Sequence, residues 1–208
     1  MGIVGVIDYQ MGNIQSVVNA LTYIEESAVI VKTAHELSQV DRIILPGVGA
    51  FGVGIENLKK QGIVEALNRE VLEKKKPFLG ICLGMQLICK ESFEFGHFLG
   101  LGWIDASVRK FEKELKVRIP HVGWNNLTIK KLNELIQKNT KELDVYFVHS
   151  YYVDANDPDV VIATCEYGRE FAAVLEKGNI FATQFHPEKS QAIGLQILRN
   201  FSKININA

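Results

Sequence analysis

The sequence predicts an α/β domain with a central, largely parallel sheet and an added antiparallel portion. Two observations carry that expectation. Through about the first ninety residues, short runs rich in Val and Ile alternate with longer amphipathic stretches, which is the pattern of βαβ units. Beyond about residue 100 the texture changes to shorter strands that follow one another closely.

Taken in order, Ile3-Val4-Gly5-Val6-Ile7-Asp8 reads as a first buried strand and Gly12-Asn13 as a turn. Val17, Val18, Leu21 and Ile24 then recur at helical spacing. Ala28 to Val31 and Arg42 to Leu45 are further strands, the second ending at Pro46-Gly47. Leu58, Ile63, Leu67 and Leu72 mark a helical region before Pro77, and Pro77 to Ile81 is again a buried strand. It runs into Cys82-Leu83-Gly84 and a helical stretch through Ile88 that would carry Cys89 on its apolar side. Shorter strands are expected near 104–109, 116–119, 145–148, 160–165, 171–175 and 180–184, and a last helix from about Ser190 to Phe201. No repeat, low-complexity tract or linker divides the chain, so residues 1–208 are expected to form one domain.

Composition narrows the function classes. The chain is 47% hydrophobic and 23% charged, ordinary for a globular domain. A formal net charge of -1 leaves no excess of Lys and Arg to neutralise a phosphate backbone, which argues against sequence-independent nucleic-acid binding. No apolar run approaches the roughly 20 residues of a membrane span, and the N-terminal apolar stretch is broken by Asp8. Cys82, Cys89 and Cys165 have neither the even number of a disulfide framework nor metal-like spacing, so no metal or other cofactor is expected and a reducing cytoplasm is the expected setting.

The chemistry begins at Gly80-Ile81-Cys82-Leu83-Gly84, a G-x-C-x-G pattern at a strand-to-helix junction. Flanking glycines permit the sharp turn of a nucleophile elbow, which lifts the side chain above the sheet and aims it at a helix N-terminus, where thiolate is favoured. Cys89 and Cys165 read as small buried apolar residues. A nucleophilic thiol needs a base, and the candidates are His35, His97, His121, His149 and His186. His186 ends the apolar run Ile180 to Phe185, where open α/β folds collect functional groups, and Glu188 lies two positions on. Pro187 stiffens the link, so the carboxylate can hold the imidazole in one tautomer; a surface turn with an incidental histidine is the plainer reading of the same residues. Acyl transfer also needs donors for an oxyanion. Gly47, Val48 and Gly49, after the strand ending at Leu45, and Leu83, after the nucleophile, are the candidates, although a Pro-Gly-x-Gly turn often does no more than reverse the chain.

Together these motifs resemble the class I, or triad-type, glutamine amidotransferases, in the order oxyanion turn, cysteine elbow, His-x-Glu. Further islands extend the likeness over nearly the whole chain: Ile7-Asp8-Tyr9, Gly12-Asn13, Pro120-His121-Val122-Gly123-Trp124-Asn125, Tyr146 to Tyr151 and Gln184 to Ser190. The resemblance implies the family's three-layer fold, a Cys82-His186-Glu188 triad, and glutamine held at its α-amino and α-carboxylate ends by Gln86 and the backbone around Ser150 and Tyr151. It is best to glutaminase subunits that pass ammonia to a cyclase of TIM-barrel form in histidine synthesis, with which they make a heterodimer. That would put Asn13, Ser16, Trp124, Tyr146 and Lys189 near the contact surface; the aromatic pair also reads as core packing. Gln10 stands where the family usually has Gly, and Ile104-Asp105-Ala106 where a glycine generally closes the segment. Alternatives are a paralogous glutaminase feeding the amination of a surface-polysaccharide sugar and a non-catalytic regulatory subunit. A cysteine peptidase of similar topology is a further rival, one that would lack the Gln86 and Ser150-Tyr151 anchors.

Overall fold

The computed structural model describes residues 2–112, 116–137 and 143–204. Its first half follows the βαβ rhythm: β1 (Val4–Ile7), α1 (Ile14–Tyr23), β2 (Ala28–Val31), α2 (Ala34–Ser38), β3 (Arg42–Leu45), α3 (Phe51–Lys60), α4 (Val64–Asn68) with a π-helical continuation to Glu73, β4 (Phe78–Ile81) and α5 (Leu83–Leu87). The second half is mostly strand: β5 (Cys89–Ser92), β6 (Phe98–Leu99), β7 (Ile104–Lys110), β8 (His121–Ile129), β9 (Asp144–His149), β10 (Tyr151–Ala155), β11 (Val161–Glu166), β12 (Glu170–Lys177) and β13 (Ile180–Thr183), closed by α6 (Gln191–Ser202).

The sheet runs β2-β1-β3-β4-β13-β12-β10-β7-β5-β6. From β2 to β13 every neighbouring pair is parallel; β12, β10 and β7 then continue antiparallel, as the change of texture predicts. Alternation along β1 and β3 divides the core between two faces. Val4, Val6 and Ile44 join Val17, Leu21, Leu198 and Phe201 of α1 and α6 on one side. Ile7, Ile43 and Leu45 join Leu37, Ile55, Leu58 and Leu67 of α2, α3 and α4 on the other. This is a three-layer α/β arrangement. No helix among the described residues is long and apolar enough to cross a membrane.

Two local expectations need correction. Residues 116–119 are irregular rather than a strand. The alternation of Val117 and Ile119 is outweighed by Pro120, which has no N–H to give a ladder and restricts the residue before it, and by the left-handed φ of 54° at Lys116. The strand comes one step later, as β8, which forms a ribbon with β9 over His121 to Asn126 and pairs with β11 over Leu127 to Ile129. Cys89 opens β5 instead of continuing a helix, because a short apolar run such as Leu87-Ile88-Cys89 suits either period. The Gln10 departure has a backbone consequence: Gln10 adopts φ 64°, the left-handed conformation that favours glycine, with its N–H donated to Asp8 Oδ1 at 3.0 Å.

Candidate active site

Parallel pairing of β4 with β13 sets Ile81 opposite Thr183, so residues just past both strand ends emerge on one edge of the sheet. Cys82 leaves β4 with φ 53° and ψ −103°, a conformation that costs a non-glycine residue on the order of 1–3 kcal/mol. Close packing on either side holds it there. A Cβ on Gly84 would strike the Leu45 carbonyl oxygen, and one on Gly80 would come within 2.8 Å of the Gly84 backbone. The Cys82 N–H is donated to Thr183 O at 2.8 Å, and Gln184 Nε2 lies 3.7 Å from the sulfur. The elbow expected from Gly-x-Cys-x-Gly is therefore present.

On the neighbouring strand end, His186 Nδ1 is 2.8 Å from Glu188 Oε1, with both side chains 3% exposed. A carboxylate accepts only, so the proton sits on Nδ1 and Nε2 is left for chemistry. Burial opposes a charged imidazole, but the Cys82 sulfur and the Glu188 carboxylate, by hydrogen bonding and by charge, outweigh it and raise His186 to about 10. Apart from the Cys82 sulfur, buried Nε2 has no hydrogen-bond partner among the described groups. The other thiols have no such company. Burial pushes Cys89 far up, and burial with the nearby Glu166 pushes Cys165 up to about 12. Among the other histidines, His35 is exposed on α2 and His97 pairs with Glu91 at 2.7 Å.

Cys82 opens onto a cavity of about 540 Å³ lined by Val48, Gly49, Leu83, Gln86, Ser150 and Tyr151, all of them expected site residues. Gln86 donates through Nε2 to Tyr151 O at 3.1 Å and to Gln184 Oε1 at 3.2 Å, so its Oε1 is the atom not used in these bonds. The oxyanion region differs from expectation in one respect. The Leu83 N–H is given to Gly47 O at 3.3 Å, so in this conformation the donor is occupied by the turn that was to work beside it. Gly49 has φ 108°, and a Cβ on Gly47 would collide with the buried Tyr9 hydroxyl, which has no partner among the described residues.

Sequence reasoning missed Glu94. This carboxylate lines the same cavity, is 8% exposed, and accepts the Phe51 N–H at 2.6 Å; burial raises its pKa against the lowering effect of that bond. A single acid in an aperiodic segment carries no spacing signal, and only the turn between β5 and β6 brings it to the pocket.

The expected partner-contact residues lie on the ribbon and on the neighbouring turn. Trp124, 47% exposed, faces Tyr146 across the ladder at 5.8 Å. Lys189 is exposed in the 3-10 turn Pro187–Lys189, against which α1 packs; Asn13 caps that helix by accepting the Ser16 N–H. Val122 and Val148 add exposed apolar surface on the ribbon.

A strained cysteine at a strand-to-helix junction, a buried His-Glu pair beside it and a largely apolar pocket with Gln86 and Glu94 in its wall have the chemistry that a thiol amidohydrolase needs. Residues 5–204 match the class-I glutamine amidotransferase family, and the chain belongs to it. Among curated relatives, imidazole glycerol phosphate synthase subunit HisH of Caldanaerobacter subterraneus is 50% identical over 202 residues, covering 97% of this chain and 98% of its own. Subunit HisH 1 of Campylobacter jejuni is 48% identical over 201 residues, covering 97% and 100%. Solved structures agree on the fold. A glutamine amidotransferase crystal structure superposes with TM-score 0.74 at 21% identity, covering 96% and 97% of the two chains, and the structure of PurLQS from Thermotoga maritima with 0.73 at 18%, covering 97% and 98%.

Proposed function

We propose that this chain, as one glutamine amidotransferase domain, is the glutaminase subunit of an imidazole glycerol phosphate synthase working in the cytoplasm. It hydrolyses glutamine to glutamate and ammonia and hands the ammonia to a HisF-type TIM-barrel cyclase in histidine biosynthesis. The observation that carries the chemistry is the juxtaposition of Cys82 with the His186-Glu188 pair; the likeness to HisH subunits along nearly the whole chain supports the pathway.

In this reading the Cys82 thiolate attacks the δ-carboxamide carbon. His186 protonates the departing ammonia through Nε2, and a γ-glutamyl thioester remains. The same nitrogen then takes a proton from water, whose oxygen attacks the thioester and releases glutamate. Glu188 keeps the ring in one tautomer throughout. At the far end of the pocket, Glu94 and Gln86 Oε1 suit the α-ammonium, and the Ser150–Tyr151 backbone suits the α-carboxylate, so amides without an amino-acid head are poorly held. Asn13, Ser16, Trp124, Tyr146 and Lys189 belong to the cyclase-facing surface.

The test is complementation of a histidine auxotroph lacking its glutaminase subunit, with ammonia limiting. Growth with the wild-type chain and none with Cys82→Ala is expected. Failure of the wild type, expressed with its own cyclase, would refute the pathway assignment; growth with Cys82→Ala would refute the nucleophile.

A further inference from the structure

The register of the ribbon sets His121 opposite His149 on its inner side. His149 Nδ1 lies 2.8 Å from Tyr151 O, and a carbonyl oxygen only accepts, so this ring carries its proton on Nδ1. Its Nε2 is then bare. His121 Nδ1 stands 3.0 Å from that atom and must be the donor. His121 Nε2 is left to accept, and Asn125 Nδ2 is 3.4 Å away, itself fixed by donation to Glu166 O at 3.0 Å. Every donor in this chain points the same way, and the chain ends on the Tyr151 carbonyl. Gln86 Nε2, on the helix that opens at Cys82, donates to that oxygen from a second direction.

The surroundings keep both rings neutral. His121 is 3% exposed and His149 6%, and the rings of Phe111, Phe147, Tyr167 and Phe171 pack around them. Burial draws His121 down to about 4 and His149 to about 3. For His149 the bond to Tyr151 O works against this, and the neighbouring His121 and His186 reinforce it to a smaller extent. A proton added to His149 Nε2 would confront the His121 N–H. Shifting the His121 proton to Nε2 would confront the Asn125 amide.

We propose that His121 and His149 are positioning residues, a single-tautomer relay that holds the Tyr151 peptide in the register presenting Ser150 and Tyr151 to the α-carboxylate of glutamine. The proposal rests on the glutaminase reading, and the experiment separates the two. The dissociation constant of L-glutamine is measured on the full chain from its protection of Cys82 against iodoacetamide, followed on the Cys82 peptide by mass spectrometry. His149→Asn retains a donor near the Nδ1 position. His149→Gln reaches toward His121 but has none at Nδ1.

Glutamine binding within about threefold of wild type is expected for His149→Asn and about tenfold weaker binding for His149→Gln, the effect of one buried hydrogen bond. Alkylation without glutamine should be unchanged in both. Equal weakening in the two variants, or none in His149→Gln, would overturn the relay. Should His149→Gln not fold, His121→Phe removes the donor to His149 while keeping a ring on Tyr167, and unimpaired protection there overturns it equally. A wild-type chain that glutamine does not protect would remove the glutaminase reading, and this inference with it.

Discussion

Acidification should destabilise the protein through the two buried imidazoles, and one substitution should halve that effect. Both folded-state values, about 4 for His121 and about 3 for His149, lie below the value near 6.5 of an unfolded chain. Between those limits the unfolded state binds the protons and the folded state does not, so stability is lost as pH falls below about 6.5. His186 has the opposite sign. Its value near 10 means that it is protonated in both states below about 6.5, and it adds no slope in this window. At about 1.4 kcal/mol per pH unit, acidification from about 6.5 to about 5 costs roughly 2 kcal/mol per ring and roughly 4 kcal/mol for the pair. For a chain of this size that corresponds to a fall in Tm of about 8–16 °C. The assay is urea unfolding of wild type and His149→Gln at about pH 7 and about pH 5. Carboxylates are common to both chains and cancel in the difference, so the variant should lose roughly 2 kcal/mol less than wild type. Equal acid losses would show that His149 is not held neutral by its surroundings, and the tautomer argument would fall with it.

Other substitutions probe the site more directly. Glu188→Gln should lower kcat for glutamine less than His186→Ala does, because an amide can still orient the ring; steady-state glutamate release in the cyclase complex measures both, and His186→Ala equal to wild type would sink the triad. Glu94→Gln should raise KM for glutamine about tenfold or more with a smaller change in kcat, since it removes a charge from the α-ammonium end; an unchanged KM would place the ammonium elsewhere. Gly84→Ala should destabilise the fold by about 2 kcal/mol or more, because the added methyl meets the Leu45 carbonyl, and an unchanged urea midpoint would contradict the packing at the elbow.

How much of this was legible in the sequence depended on whether a residue announced itself through spacing. The parallel strands did, because buried Val and Ile runs stand out, and the elbow did, because glycines flank Cys82. α2 was missed although its signal is present: Thr33 and Glu36 form a capping box, with Thr33 Oγ1 accepting at 3.2 Å and Glu36 Oε2 at 2.9 Å. β8 was missed for a better reason. Its inward residues after His121 include Gly123 and Asn125 while Val122 and Trp124 point outward, so it has no apolar stripe. The His121-His149 pair, 28 positions apart in the chain, is a product of register between two strands. No local pattern encodes it.

The Leu83-Gly47 bond also bears on how the enzyme is controlled. The N–H that follows the nucleophile is the natural donor to a developing oxyanion, yet here it is committed to the Gly47 carbonyl at 3.3 Å. If Leu83 supplies that donor, turnover requires the bond to open, and the turn has the freedom to allow it: Gly49 sits at φ 108°, and Gly12, at φ 112°, packs against Gly47 without a side chain. When the Gly47 carbonyl swings away it needs a new donor, and the Tyr9 hydroxyl, without a partner among the described residues, lies against Gly47. Absence of one oxyanion donor costs on the order of 100- to 1,000-fold in kcat. We therefore predict that the isolated chain hydrolyses glutamine slowly, that cyclase with its acceptor raises kcat by a comparable factor while changing KM little, and that Tyr9→Phe reduces the stimulated rate more than the basal one. Glutamate release from the chain alone, with cyclase, and with cyclase plus acceptor analogue measures all three. Full activity in the chain alone would mean that the Leu83 donor is available without its partner, and the closed turn would then have no part in control.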